Sequence, residues 1–253
     1  MSYYPERALG FSNLTKIAFR FYLVTLKQAA PFIFLIVLVK QFCAAFEVVY
    51  KTGLPNVITN TVTVAIIIFL LSAIILSAHR AFSETVGSFL KIFVDTVKNT
   101  PRIFITTVFF IVGCIGFYGL IELAHKGLHQ LFPAPSAIHG VMLFILTIIS
   151  LVYVFMFILS VPLVVIQQCG IFKSFLRSAL LSEKNITGVI VLFFFSLLLI
   201  SFISKGLVLR EYFVPIYYLD VVYDFVVLCI GIPLLTNILL LVLHDSELNL
   251  RKC

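Results

Sequence analysis

Charged residues are scarce in this sequence. Only 11% of its 253 residues are Asp, Glu, Lys or Arg and 62% are hydrophobic, whereas ordinary soluble domains carry about 25% charged residues. No polar stretch is long enough for a separate soluble domain, so the composition predicts one integral membrane domain over residues 1–253. The net charge of +7 suits the anionic lipid of a membrane surface, and we do not expect nucleic acid as a partner.

Motifs of soluble enzymes are also missing. The sequence holds no Walker loop, no GxSxG or HExxH motif and no glycine-rich dinucleotide fingerprint. Its five cysteines are scattered without a CxxC pair, so the pattern indicates neither a disulfide framework nor a zinc site. These features favour a non-enzymatic protein and predict no cofactor.

The sequence does contain long apolar runs, and six of them approach the length of about 20 residues that a transmembrane helix needs. They predict an all-α polytopic membrane protein. Proline lies inside the fourth and sixth runs, as Pro162 and Pro233, and each proline predicts a kink because it removes one backbone hydrogen bond. The runs cover residues 30–50, 58–77, 103–124, 137–165, 188–204 and 215–243.

The basic residues are distributed unequally between the two sides of these spans. Lys40 lies within a span, and of the remaining Lys and Arg residues four lie in loops on one side, namely Lys51, Lys126, Lys205 and Arg210. All the others lie on the opposite side. Because basic loops stay in the cytoplasm, this bias predicts that both termini are cytoplasmic.

A basic amphipathic pattern precedes three of the apolar runs. In residues 170–185 apolar side chains recur at helical spacing on one face and Lys173, Arg177 and Lys184 lie on the other, as in a helix that lies in a membrane interface. Similar basic spacing occurs near the N-terminus and in the middle of the chain. We therefore predict three cytoplasmic interfacial helices that bind lipid headgroups through Lys16, Arg20, Lys27, Lys91, Lys98, Lys173, Arg177 and Lys184.

Because each amphipathic pattern leads into an apolar hairpin, the chain indicates a threefold internal repeat with units 9–80, 81–165 and 166–243. Pro31 and Pro101 fall where the first two interfacial helices are expected to end and turn into the bilayer. The alternative is that basic loops recur by chance, as they do in many membrane proteins.

Four charged residues are candidates for an intramembrane polar site, because charge at membrane depth is costly and often functional. Lys40 and Glu47 lie two helical turns apart on one face, and Asp220 and Asp224 lie one turn apart. They could line a path for an ion. The alternative is that Lys40 reaches the interface, that Glu47 marks that interface and that the two aspartates are solvated.

A weaker candidate for a metal site is the group formed by Glu122, His125 and His129, which share one helical face. Lys126 lies inside this group, and two histidines with one glutamate specify little by themselves. We therefore predict no metal here.

The segment that contains Pro162, Gly170-Ile171-Phe172, Ser174, Arg177, Ser178 and Asn185 resembles the central segment of the uncharacterised bacterial inner-membrane family typified by YciC. That family is related to the membrane domain of some glycerophosphodiester phosphodiesterases. Its plan of an N-terminal amphipathic helix and six spans is similar. The resemblance implies a multi-pass protein of the bacterial inner (cytoplasmic) membrane, and it supplies no catalytic residues.

Three functions follow as hypotheses. The first is a non-enzymatic membrane protein that binds anionic lipid or a membrane partner and supports envelope organisation. That partner could be another membrane protein or a second copy of this chain. The second is a small transporter or channel that uses Lys40, Glu47, Asp220 and Asp224. The third is an intramembrane metal-dependent enzyme. We favour the first, because it accounts for the three basic helices.

Overall fold

The computed structural model describes residues 11–49, 54–83, 88–131, 137–212 and 217–251. Nine α-helices and no strands occupy these ranges, as the apolar runs predict. The helices are α1 (Phe11–Arg20), α2 (Tyr22–Val49), α3 (Leu54–Phe82), α4 (Phe89–Leu131), α5 (Ala137–Phe157), α6 (Ser160–Gln167), α7 (Ile171–Lys184), α8 (Ile186–Tyr212) and α9 (Tyr217–Arg251).

Five spans within the described ranges are long and apolar enough to cross a membrane, namely Tyr22–Ala45, Ile58–Phe82, Phe89–Ala124, Phe144–Gln167 and Val222–Leu248. A sixth exists if Ile171–Lys184 and Ile186–Leu199, which meet at an angle of 106°, are taken as one broken span. The chain is therefore an all-α polytopic membrane protein. The predicted span 188–204 lies in α8 and belongs to this bent pair.

Helix α9 forms the centre of the bundle, since it packs against α1, α2, α3, α7 and α8. Of its spanning window 56% is buried, against 12% for α4, which is the most peripheral of the five spans. The pairs α2 with α3, α4 with α5 and α8 with α9 are also in contact, one pair in each predicted unit. The threefold repeat itself stays a prediction.

The prolines act differently from what the sequence predicts. Pro31 and Pro101 lie inside the continuous helices α2 and α4, so the expected turns at these two positions are wrong. The break of the first copy comes earlier, at Phe21. Near Pro101, the Thr100 and Thr106 hydroxyls donate to carbonyls one turn back, a type of bond that helps helices tolerate proline in membranes.

Pro162 does coincide with a break, because α5 ends at Phe157 and α6 begins at Ser160. Proline has no N–H for the carbonyl four residues earlier and its ring crowds that carbonyl. The chain then passes through Gln168, which has a φ of 52°, into α7. Pro233 lies inside α9, which continues beyond it.

Candidate functional site at the basic end of the bundle

Six parts of the chain meet at one end of the bundle, which we call the basic end: α1, the first turns of α2, the last turn of α3, the first turns of α4, α7, and the last turns of α9. Asn237 on α9 donates from Nδ2 to the Ala18 carbonyl on α1, at 2.9 Å. Arg80 on α3 forms an ion pair with Asp95 on α4. Arg177 on α7 pairs with Glu247 on α9, and α3 packs against α9 as well. Together these contacts hold the three predicted amphipathic segments around the same end of the bundle.

Cations dominate the surface of this end. Seven of the eight predicted headgroup residues have exposed side chains, and Arg102 is exposed as well. The eight exposed cations are Lys16, Arg20, Lys27, Lys91, Lys98, Arg102, Lys173 and Lys184.

Three of the four described carboxylates at this end are engaged by other side chains of the protein. Asp95 pairs with Arg80, Glu247 pairs with Arg177, and Asp245 is only 3% exposed and accepts a hydrogen bond from Asn185 at 2.9 Å. Among the described residues of the basic end, Glu183 is the one exposed carboxylate. Internal pairing of the acids therefore leaves a surface with a strong excess of positive charge.

Helix α7 shows how these cations sit beside apolar side chains. Phe172 and Leu176 are 82% and 67% exposed, whereas Ser174, Ser178 and Ser182 are buried against the bundle. The helix therefore packs against the bundle through its serines and Leu181, which is fully buried, and leaves Phe172 and Leu176 uncovered. Phe172 and Leu176 belong to the apolar face predicted from the sequence, whose interfacial position stays a prediction, and the sequence analysis overlooked the serine face.

The other two segments present a similar combination. Phe19 and Leu23 are 60% and 72% exposed beside Lys16, Arg20 and Lys27. In α4, Leu90 and Val97 are exposed beside Lys91 and Lys98. Exposed apolar and basic side chains on one helix are the chemistry of an interfacial position.

Arg177 differs from the other predicted headgroup residues. Its Nη2 lies 3.1 Å from Glu247 Oε1, and the Gln167 side-chain amide donates to the same oxygen. The His79 imidazole lies within the electrostatic influence of Glu247 and His244. Arg177 therefore connects α7 to α9 through one nitrogen of its guanidinium group.

The bend between α7 and α8 has its own polar support. Asn185 accepts a hydrogen bond at Oδ1 from the Gly188 backbone N–H at 3.0 Å, which caps the start of α8. Its Nδ2 donates to Asp245 on α9. One asparagine therefore caps α8 and fastens the bend to the central helix.

A cavity of about 370 Å³ lies inside this bend, between α5, α7 and α8, and we call it the elbow cavity. Two serine hydroxyls lie beside the cavity. Ser178 donates to the Met156 carbonyl at 2.7 Å, and Ser182 donates to the same carbonyl at 3.5 Å. Ser182 and Glu183 contribute to the lining. The other lining residues are apolar: Val152, Phe155, Met156, Ala179, Ile186 and Val189.

The predicted intramembrane charges pair in a way that the sequence did not indicate. Lys40 Nζ on α2 lies 2.8 Å from Asp224 Oδ2 on α9, and both side chains are partly buried. The partner of Lys40 is therefore a residue of the last helix, 184 positions away along the chain. The side chains of Glu47 and Asp220 lie outside the described residues.

The weak metal candidates are not brought together by the described part of the structure. Glu122 forms an ion pair with Lys126, one turn away, at 3.0 Å. The side chains of His125 and His129 are not among those described. Within the described residues, no group of three or more His, Cys, Asp or Glu side chains could hold a metal ion.

Several residues of the basic end escaped the sequence analysis, notably Thr25, Asn237, Asp245 and Glu247. Thr25 Oγ1 donates to Asn237 Oδ1 at 2.6 Å, and both residues are fully buried. The available signal was the interruption of the last apolar run by Thr236 and Asn237, since a polar residue inside a span needs a partner.

No protein-family model, no curated protein and no solved structure matches this chain. The resemblance to the YciC family therefore stays a prediction. The candidate site stands on its geometry alone: eight exposed cations, exposed apolar side chains on the same helices, and three carboxylates that are engaged by protein side chains.

Proposed function

We propose that the basic end is a lipid-binding surface, and that this integral membrane protein holds anionic phospholipid around its cytoplasmic side in support of envelope organisation. The proposal places the protein in a bacterial inner membrane, with α1, α7 and the start of α4 in the interface. A membrane protein with an acidic surface, or a second copy, would be the partner of this end.

The observation that carries the proposal is the separation of charge at the basic end. Eight cations are exposed there, while three carboxylates are turned inward by Arg80, Arg177 and Asn185. Each Lys or Arg close to an anionic membrane contributes about 1 kcal/mol, roughly fivefold in affinity. Several such residues on helices with exposed apolar faces are enough for selective enrichment of anionic lipid.

The test uses pairs of substitutions in each segment: Lys16→Gln with Lys27→Gln, Lys91→Gln with Lys98→Gln, and Lys173→Gln with Lys184→Gln. The proteins are extracted gently into detergent, and retained phosphatidylglycerol and cardiolipin are counted by native mass spectrometry. We expect each pair to lower retention. Lys126→Gln removes an exposed charge at the other end of α4 and serves as the matched control. Unchanged retention in all three pairs would remove the basis of the proposal.

The Lys40–Asp224 ion pair favours a second candidate function, the passage of a small cation or proton along the interface of α2 and α9. Charged groups within a span commonly mark such paths. This candidate predicts that Asp224→Asn abolishes ion flux into liposomes that contain the purified protein. Absence of flux in the unaltered protein would exclude it and leave the ion pair with a structural role.

A further inference from the structure

We infer that the elbow cavity binds one acyl chain of an amine-bearing, zwitterionic phospholipid, with the headgroup ammonium on Glu183 and the headgroup phosphate beside Lys184. The inference rests on the proposed function in that both concern lipid at the basic end. The inference goes beyond the proposed function by naming a separate site and a different headgroup chemistry.

The cavity has the composition and size of an apolar ligand site. Six of its eight lining residues are apolar, and its volume of about 370 Å³ falls in the range of about 300–1,000 Å³ that is usual for ligand pockets. Val152 and Ile186, at its margin, are 47% and 59% exposed. In a membrane protein such a margin faces lipid, so an acyl chain can enter sideways from the bilayer.

The path of the backbone determines the shape of the elbow cavity. Helix α5 ends at Phe157 and packs against both α7 and α8, which meet at 106°, and the cavity lies in the angle between these three helices. The serine hydroxyls of α7 hold the Met156 carbonyl on one wall, and Asn185 fixes the bend on the other. A preformed site of this kind costs its ligand little ordering of the protein.

Charge at the cavity identifies the headgroup. Glu183 lines the cavity and is exposed, and among the described residues no hydrogen bond or ion pair engages its carboxylate. Lys184, the next residue, is exposed as well. A purely anionic headgroup would place its phosphate against the Glu183 carboxylate, whereas an ethanolamine headgroup brings a cation for Glu183 and a phosphate for Lys184. The neighbouring opposite charges therefore match a zwitterion.

The experiment measures lipid retention by native mass spectrometry after the protein is equilibrated with equal amounts of phosphatidylethanolamine and phosphatidylglycerol. Glu183→Gln should lower bound phosphatidylethanolamine about two- to fivefold, the range of an exposed ion pair, and leave phosphatidylglycerol unchanged. Glu122→Gln is the matched control, because it makes the same change at an exposed carboxylate near the opposite end of α4. N-acetylated phosphatidylethanolamine, which has no ammonium, should lose no binding in Glu183→Gln relative to the unaltered protein.

A cavity-filling substitution tests the acyl-chain part separately. Ala179→Phe, or Ile186→Trp if the first variant does not fold, should remove the bound phosphatidylethanolamine, whereas Leu180→Phe places the same aromatic ring on α7 away from the cavity lining and should leave it bound. The inference is overturned if Glu183→Gln leaves phosphatidylethanolamine retention unchanged, or if it lowers both lipids equally. Failure of the proposed function would give a different result: the lysine substitutions would leave retention of phosphatidylglycerol unchanged.

Discussion

Arg177 on α7 and Glu247 on α9 form an ion pair across the basic end, with 3.1 Å between Nη2 and Oε1. Their side chains are 37% and 21% exposed, so water screens the pair only in part. The same carboxylate oxygen accepts a hydrogen bond from Gln167. The pair therefore connects an interfacial helix, the central helix and the broken end of the fourth span.

This geometry predicts that Arg177 and its neighbour Lys173 have different roles. Arg177→Gln should lower the free energy of unfolding by about 1 kcal/mol, because it leaves Glu247 without its charged partner while solvent screening limits the loss. Lys173→Gln should leave stability unchanged and lower retention of anionic lipid. Unfolding in a denaturing detergent and native mass spectrometry measure the two effects, and equal effects of both substitutions on both quantities would contradict the assignment.

The ion pair between Lys40 and Asp224 makes a second prediction. Removal of either charge, by Lys40→Met or Asp224→Asn, should destabilise the protein by about 1–3 kcal/mol, because the remaining charge keeps its desolvation cost without its partner. The double variant should lose less than the sum of the two single losses. The free energies of unfolding of the four proteins form a double-mutant cycle. Additive losses would mean that the two side chains do not interact.

Cys169 provides a prediction about pH. It lies between α6 and α7, where burial raises the pKa of its thiol, although the nearby charges of Arg177 and Lys173 act in the opposite direction. Since the thiolate is the reactive form, alkylation of Cys169 should be slower at a given pH in the folded protein than in denatured protein. Its rate profile should be displaced to higher pH. Peptide mapping after iodoacetamide treatment gives both profiles, and coincident profiles would contradict the burial effect.

The sequence predicted the class of the protein and most of its spans, because a bilayer requires long apolar helices and composition shows them directly. Of the eight basic residues that it selected, seven are exposed, while their role in lipid binding stays a prediction. The sequence did not predict which buried polar groups pair with one another. Lys40 meets Asp224, and Asn237 meets Ala18, through the rotation and packing of helices far apart in the chain.

The predicted repeat can be examined by comparing burial at equivalent positions of the three amphipathic segments. When their basic residues are superposed, Ser182 and Val189 of the third copy align with Thr25 and Phe32 of the first, and with Thr96 and Ile103 of the second. All six side chains are at most 5% exposed. A hydroxyl residue and a larger apolar residue thus face the bundle at matching positions in every copy.

Gly188 supplies the most sharply controlled prediction. A Cβ at this position would lie 2.7 Å from Asn185 Nδ2 and 2.8 Å from Oδ1, so alanine must displace the side chain that caps α8 and binds Asp245. Gly188→Ala should therefore lower the free energy of unfolding by about 1–3 kcal/mol, the cost of polar groups left without partners.

Gly116 is the matched control for this substitution. A Cβ there would meet nothing within 4 Å, so Gly116→Ala should be neutral or stabilise α4 by up to about 1 kcal/mol through higher helix propensity. Both variants change glycine to alanine within a helix, and only one of them disturbs Asn185. If Gly188→Ala were as stable as Gly116→Ala, the contacts of Asn185 would not be what holds the bend, and the walls of the elbow cavity would depend on the packing of α7 through its serines.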